Sequence, residues 1–218
     1  MLVRVSTADT PAGAQNRAGR RKARTRAALI GAAQRFLADG GRTEVSIQEI
    51  TDAADVGFGS FYNHFDSKAA LFDAAITDAL AVHAQLIQRA TAHLTDPAEV
   101  FAASVRLTVR LRQTHPQMAR ILLHTGLSHL TDAEGMPASA LRDLRVAAEA
   151  ERFEIGDPYV ALACVGGSVL GLLRILQARP GMDAEAANDQ LAESLLRMFG
   201  VPADEAGRIA RRPLPAIG

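Results

Sequence analysis

SIQEITDAADVGFGSFYNHFDSK, from Ser46 to Lys68, is the stretch whose reading decides the fold. Two short apolar-periodic segments meet in it at a tight turn. Ser46 and Glu49 form a capping box at the start of the first: the Ser oxygen takes a free helix N–H and Glu49 reaches back to the backbone. Ile47, Ile50 and Ala54 give that helix a buried stripe. Asp55-Val56-Gly57 is the turn, with Asp tolerant of a left-handed backbone. The second segment, about Phe58 to His64, turns Phe61 and Phe65 inward and carries small, aromatic and hydrogen-bonding side chains, with no acid until Asp66. Upstream, Arg17 to Arg26 holds six basic residues and no acidic one. A short polar-aromatic helix beside a basic arm is what reading a DNA groove requires.

The elements on either side are helical. A first helix is predicted from about Lys22 to Ala38, ended by Asp39-Gly40-Gly41. Ser67 caps a long helix to about Thr91, with Leu71, Phe72, Ile76, Ala79, Val82 and Leu86 on its inner side. Asp96-Pro97 starts another that runs to about Thr114. Pro116 restarts a short helix through Leu123, and Gly126 to Pro137 reads as a loop. Helices follow at about Pro137–Phe153, Asp157–Gln177 and Asp183–Phe199, and the tail after Gly200-Val201-Pro202 reads as turn and coil. No strand or internal repeat is evident. The expected fold is all-α, about nine helices, with a three-helix N-terminal unit before a larger bundle. The expected boundaries are a disordered basic arm (1–20), a helix-turn-helix unit (21–67) with a linking helix (68–91), a bundle (92–200) and a tail (201–218).

Composition agrees with a globular chain. Of 218 residues, 48% are apolar and 22% charged, and the low aromatic content of 5% favours helix. Net charge is zero, yet residues 1–65 hold 9 Lys/Arg against 6 Asp/Glu, and the remainder 15 against 18. A mildly basic front on a mildly acidic body suits nucleic-acid binding. Cys164 is the single cysteine, which excludes an intrachain disulfide and a cysteine-based metal cluster. The N-terminus lacks the apolar core of a signal peptide, so a cytoplasmic location is expected. The longest uncharged run, Pro158 to Leu173, has 16 residues. A bilayer span needs about 20, so a core helix without membrane contact is expected. No nucleophile–base–orienter set, phosphate loop, dinucleotide turn or H-E-x-x-H occurs, so no enzyme and no cofactor are expected. His115, His124 and His129 are not at compact metal-ligand spacing, and no metal is expected.

In a helix-turn-helix the second helix enters the major groove while the first crosses the backbone. Phe58, Gly59, Ser60, Tyr62, Asn63 and His64 are the candidates for presentation to DNA. Asn63 can pair bidentately with adenine, and Phe58 can lie against thymine methyls. Gly59 permits close backbone approach. Free N–H groups at the helix starts after Ser46 and Ser67 suit phosphates, with Lys68 adding charge. The arm around Arg24 adds salt-dependent attraction. These residues alone also fit a small helical subdomain with an aromatic core.

Val56-Gly57-Phe58-Gly59-Ser60-Phe61-Tyr62-Asn63-His64-Phe65, then Ser67-Lys68 and Leu71-Phe72, resembles the signature of TetR-family transcriptional regulators. The likeness covers about residues 22–82. It implies phosphate contacts for Ser46, Tyr62, His64 and Lys68, and base-facing positions for Gln48, Phe58, Gly59, Ser60 and Asn63. Gly57 departs from the pattern, which often has Ser or Thr there and so a hydroxyl cap and phosphate contact. Phe58 replaces a commonly polar residue. The resemblance further implies a homodimer on double-stranded operator DNA and a bundle that senses a small-molecule effector. A ligand-responsive repressor acting at a palindromic operator is the leading expectation; an activator, or a regulator without effector, is the alternative.

For the bundle, Phe101, Val105, Val109, Met118, Ile121 and Leu122 are candidate pocket residues, and their Met and aliphatic character suits an apolar or amphipathic effector. They are equally ordinary core residues. Arg106, Arg110, Arg112 and His124 could meet an anionic group of an effector, but the arginines are expected on a solvated face, and Cys164 as an inert core thiol. Gly166, Gly167, Leu170, Gly171 and Leu195 are candidates for a dimer interface along the last two long helices, where small residues permit close approach; the three glycines equally fit packing within one subunit.

Overall fold

The computed structural model describes residues 11–130 and 135–216, and for 11–16, 18 and 127 the backbone alone. Among these, nine α-helices and two 3-10 helices form, and no strand. The helices are α1 (Pro11–Ala38), α2 (Ile47–Ala53), α3 (Lys68–Thr91), α4 (Pro97–Thr114), α5 (Pro116–Thr125), α6 (Gly135–Glu149), α7 (Pro158–Ala178), α8 (Ala184–Met198) and α9 (Ala203–Ala210). The 3-10 helices are Phe58–Asn63 and Gly126–His129.

Local chemistry sets most boundaries. Asp96 caps α4, accepting from the Ala98 N–H at 3.1 Å, with Pro97 at the first helical position. Asp157 and Asp183 cap α7 and α8 in the same manner. Gly40 and Gly41 take φ of 76° and 72° after α1, a left-handed conformation that costs a glycine little.

Two large apolar cores result, with a small cluster of Ile87, Ala90 and Leu107 beside them. One gathers α1, α2, the Phe58–Asn63 helix and the first half of α3 around Leu29, Leu37, Ile50, Phe61 and Leu71, and continues into Leu111, Ile121 and Leu122 of α4 and α5. The second lies among α4, α6, α7, α8 and α9, with Phe101, Phe153 and Phe199 at its centre. α3, 24 residues and about 36 Å long, contributes to the first core and reaches past it.

Several expectations are corrected. α1 begins at Pro11 rather than near Lys22, because the Ala/Arg/Gln-rich sequence holds no breaker strong enough to stop it. Residues 11–20 of the expected disordered arm are therefore helical, while residues 1–10 lie outside the described residues. The tail is not all coil: α9 forms on Ala206, Gly207, Ile209 and Ala210, small residues that pack closely against α8 and α4. Within the expected loop Gly126–Pro137, a 3-10 helix occupies Gly126–His129 and α6 already starts at Gly135; residues 131–134 lie outside the described residues. On α3 the inner stripe runs through His83 and Ile87, leaving Val82 exposed and Leu86 half-buried.

Arg106 is buried, not solvated: its Nε and Nη2 both meet Asp189 Oδ1 at 2.7 Å and its Nη1 donates to the Arg212 carbonyl at 2.6 Å. Arg110 and Arg112 are half-buried, and His124 is exposed. Cys164 is exposed on the outer face of α7 rather than in the core. By length and composition α3 and α7 could each cross a membrane. One face of each is instead packed into these cores, through residues such as Leu71, Ile76, Val165 and Leu173.

Candidate nucleic-acid interface and bundle cavity

Ser46 closes the capping box of α2 as expected. Its Oγ accepts from the Glu49 N–H at 3.1 Å, and Glu49 Oε2 takes the Ser46 N–H at 2.8 Å. That backbone bond, then the one from the Ser46 hydroxyl, holds the Glu49 carboxyl below its usual pKa, with smaller help from Arg42 and Lys68. Asp55 turns the chain with φ 53°. The next helix is wound as 3-10, with Ser60 N–H to Gly57 O at 2.8 Å and His64 N–H to Phe61 O at 2.9 Å. Six residues including a glycine and three aromatics make a poor α-helix, and the tighter form suits short pieces.

Aromatic packing fixes this turn against the body. Phe61 is fully buried and meets Tyr62 edge-on at 5.3 Å and Phe65 at 6.2 Å. Arg26 of α1 lies over the Phe65 ring at 5.1 Å. Arg35 of α1 donates to the Ala53 carbonyl at the end of α2. α1 thus braces both halves of the motif. What remains outward is Phe58, 48% exposed, Tyr62, 57% exposed, and Gly59 and Asn63, with Ser60 half-buried behind them. Such hydrophobic exposure on a polar, acid-free turn is unusual for a surface that meets only water. Ser67 caps α3 through the Ala70 N–H at 3.1 Å, and Lys68 stands beside this second open helix end.

The bundle holds a cavity of about 340 Å³ among α3, α4, α5, α6 and α7, partly open to solvent. Phe101, Val105, Leu122, Leu162 and Val169 make much of its apolar wall, and His83, Gln88, Thr91, Ser104, Thr108, Ser139, Arg142 and Asp143 are its polar places. Burial pushes the Asp143 carboxyl up, opposed by Arg142.

The family description "Bacterial regulatory proteins, tetR family" matches residues 29–75, and "Tetracyclin repressor-like, C-terminal domain" matches residues 96–212. The second match alone spans more than half the chain. This chain belongs to the TetR family.

Among solved structures, RolR in complex with resorcinol is 34% identical, over 92% of this chain and 100% of that one, at a TM-score of 0.72. RolR without ligand is 34% identical over 88% of this chain and 100% of that chain, with a TM-score of 0.69. The fatty acid degradation regulator FadR from Bacillus halodurans, 18% identical over 78% of this chain and 94% of its own, shares the fold at 0.65. No curated protein sequence matches. The TetR family comprises transcriptional regulators rather than enzymes.

Within this TetR-family frame most of the expected DNA residues are open to solvent. Ser46, Gln48, Gly57, Phe58, Gly59, Tyr62 and Asn63 are exposed, as is Arg24 on α1. Gln48 is already engaged, donating to Asp52 Oδ1 at 2.7 Å. His64 is half-buried with Nδ1 unpartnered, and its pKa is lowered first by burial and then by Lys22 and Arg26. Those two cations, not the imidazole, carry positive charge at that corner; the basic run makes them visible as a group but not singly.

In the bundle, Phe101, Val105 and Leu122 line the cavity, whereas Val109 is core and Met118 and Ile121 flank a separate groove beside Gln34 and Val82. His83, Thr108, Arg142 and Asp143 escape a reading of the sequence. Their polarity masks them: His83 and Thr108 are buried and break the apolar stripe that marks an inner face, while Arg142 is exposed and Asp143 half-buried. Of the expected dimer positions, Leu195 is 3% exposed in the single chain and lies in its core, and a Cβ at Gly166 would lie 2.9 Å from a Leu130 methyl carbon. Leu170 is half-buried and packs against both cores. Gly167 and Gly171 do lie exposed on α7.

Proposed function

We propose that this chain is a ligand-responsive homodimeric repressor that binds a palindromic operator and is released by a small apolar or amphipathic effector. The observation that carries the reading is one helix with two occupations. α3 places Lys68 beside the exposed reading turn at one end and His83, Ile87 and Thr91 in the cavity wall at the other. A ligand that favours one position of the far end moves a rigid rod whose near end bears on DNA, and DNA affinity shifts by as much as the ligand discriminates between the two positions. The cavity volume is that of a small-molecule site. RolR, similar along nearly the whole chain, was solved with resorcinol, which supports an effector of that size.

The dimer reading is supported by the outer faces of α7 and α8. Val160, Ile175 and Met198 are exposed there, beside Gly167 and Gly171. A two-fold pair would cover them and present two reading turns to successive half-sites, about 34 Å apart in B-DNA. A reduced, cytoplasmic setting fits the DNA partner.

Selection of bound fragments from genomic DNA by the purified protein, with light scattering on the complex, tests this. A palindromic site occupied by an even number of chains supports the reading. A folded monomer that retains no site at low salt overturns it. A reporter driven from the recovered site, repressed when the protein is present, separates repressor from activator.

A further inference from the structure

The cavity wall formed by α3 and α4 has a polarity of its own, and a ligand preference drawn from it rests on the effector reading proposed for this chain. Three hydroxyl groups line it, and each is already committed as a donor. Thr91 Oγ1 donates to the Ile87 carbonyl at 2.9 Å, Ser104 Oγ to the Val100 carbonyl at 2.7 Å, and Thr108 Oγ1 to the Ser104 carbonyl at 2.8 Å. A hydroxyl has one proton and two lone pairs. What these groups offer to anything else is lone pairs.

His83 extends the pattern. It is fully buried, and desolvation pushes its pKa down to about 4, so the ring is neutral at ordinary pH. Its Nε2 lies 3.0 Å from Thr108 Oγ1. That hydroxyl gives its proton to Ser104, so the ring proton must sit on Nε2 and point at Thr108. Nδ1 is then a bare acceptor, and it has no partner. A buried acceptor left unsatisfied is destabilising, and the fold keeps this one on a residue of the cavity wall.

Charge on the facing wall does not reverse the preference. Among the described lining residues Arg142 is the one fixed cation, and it stands beside Asp143, Nε to Oδ1 at 3.9 Å. That pair is close to neutral as a unit, so an anion entering the cavity meets the α3–α4 acceptors on one side and a compensated cation on the other, with the exposed Gln88 amide and the Ser139 hydroxyl as the uncharged donors of the lining.

We propose that His83, Thr108 and Ser104 form a hydrogen-bond-accepting subsite that takes a hydroxyl group of a neutral, otherwise apolar effector, a phenol or an alcohol, and that this subsite rejects carboxylates and ethers of the same shape. The effector's O–H donates and the wall accepts. Methylation removes the donor, and a carboxylate sets negative oxygens against lone pairs.

The test is calorimetric titration of the purified full-length protein with four probes: resorcinol, 3-methoxyphenol, 1,3-dimethoxybenzene and 3-methoxybenzoate. Each is measured on the native chain, on His83→Phe and on Thr108→Val, with operator release followed in parallel by fluorescence anisotropy. On the native chain resorcinol binds at least tenfold tighter than the dimethyl ether, and the benzoate is weakest. In His83→Phe that ratio falls severalfold, because one of the three acceptors is gone while the ring volume stays. Thr108→Val, which lets Nε2 lose its fixed proton acceptor, reduces the ratio as well.

Equal affinity of the native chain for resorcinol and the dimethyl ether, tightest binding by the benzoate, or no binding by any probe at millimolar concentration overturns the subsite. So does an unchanged ratio in both variants. The two readings fail separately. Probes that bind with the stated preference but leave DNA affinity unchanged remove the effector reading and keep the subsite. Probes that release DNA without regard to their hydroxyl groups do the reverse.

Discussion

Arg152 grips Asp96 with two prongs, Nε to Oδ1 at 2.9 Å and Nη2 to Oδ2 at 3.0 Å, while the same carboxylate caps α4. Nη2 also meets Glu205 of α9 at 2.6 Å. Burial works against the Asp96 charge, yet bonds from Arg152 and the Ala98 N–H hold its pKa below the usual value. The next residue, Phe153, stacks edge-on against Phe101 at 5.1 Å and lies 5.2 Å from Phe199. One arginine therefore joins the start of α4, the loop after α6 and α9 beside the aromatic centre of the bundle.

Arg152→Ala is expected to lower stability by about 2 kcal/mol, because two partly buried carboxylates lose a shared planar donor. For a chain of this size that is a fall of roughly 5 °C in the thermal midpoint. Arg152→Lys recovers only part of it, since an ammonium cannot make the two-pronged pair. Thermal unfolding of the three proteins at pH 7 checks this. A midpoint within a degree of native for the alanine variant would show the hub to be energetically idle.

His83 makes stability depend on pH in a stated window. Its folded pKa, about 4, lies below the ordinary histidine value of 6.5. The unfolded chain therefore binds a proton that the folded chain refuses. The neutral-ring contribution is fully present above pH 6.5, falls as pH drops through 6.5 toward 4, and changes no further below that. The whole loss is on the order of 3 kcal/mol. His83→Phe should flatten that part of the denaturation profile. An identical slope between pH 6.5 and 4.5 in native and variant would mean that the imidazole is not held neutral in the fold.

Much of this architecture is legible in local chemistry. Ser46 with Glu49, Ser67, Asp96-Pro97 and Asp55 act within a turn of themselves, so their signals are complete in the sequence. The inner stripe of α3 departs from its apolar pattern at Val82 and Leu86 for a different reason. The residue that faces inward there is His83, and only the cavity and Thr108 across it justify burying an imidazole. Arg106 reads as a surface cation until Asp189, 83 residues away, is found against it. α9 escapes a sequence reading because its packing face is made of Ala, Gly and one Ile, which carry little periodic contrast. Effects that depend on a distant partner leave no local mark.

On the DNA side, Tyr62 and Asn63 are neighbours with separable roles. Tyr62 is anchored edge-on against Phe61 and remains more than half exposed. Tyr62→Ala and Lys68→Ala should weaken binding to operator and random duplexes alike, and Lys68→Ala should reduce the salt slope by about 1. Asn63→Ala should lower operator affinity by about 1–3 kcal/mol with little change on random DNA. Binding isotherms on both duplexes at several salt concentrations decide it. Equal losses on the two duplexes for Asn63→Ala would remove its base-reading role.

Gly57 offers a gain rather than a loss. It stands before the 3-10 helix with φ −65° and ψ 142°, a backbone that any L-residue adopts, and no side chain caps the helix there. A Cβ at this position would meet only Ser60 Oγ, at 4.0 Å. Gly57→Ser therefore fits without strain, supplies an acceptor to the open helix start and restricts the unfolded chain, together worth about 0.5 kcal/mol. If phosphate passes this point, the hydroxyl adds a hydrogen bond of about 1 kcal/mol and roughly fivefold in affinity. The salt slope should not move, since no charge is added. Thermal melts and operator titrations on the single variant separate the two effects. A raised midpoint with weaker operator binding would mean that the DNA backbone approaches Gly57 too closely for any side chain, and that the glycine is retained for contact rather than for want of a cap.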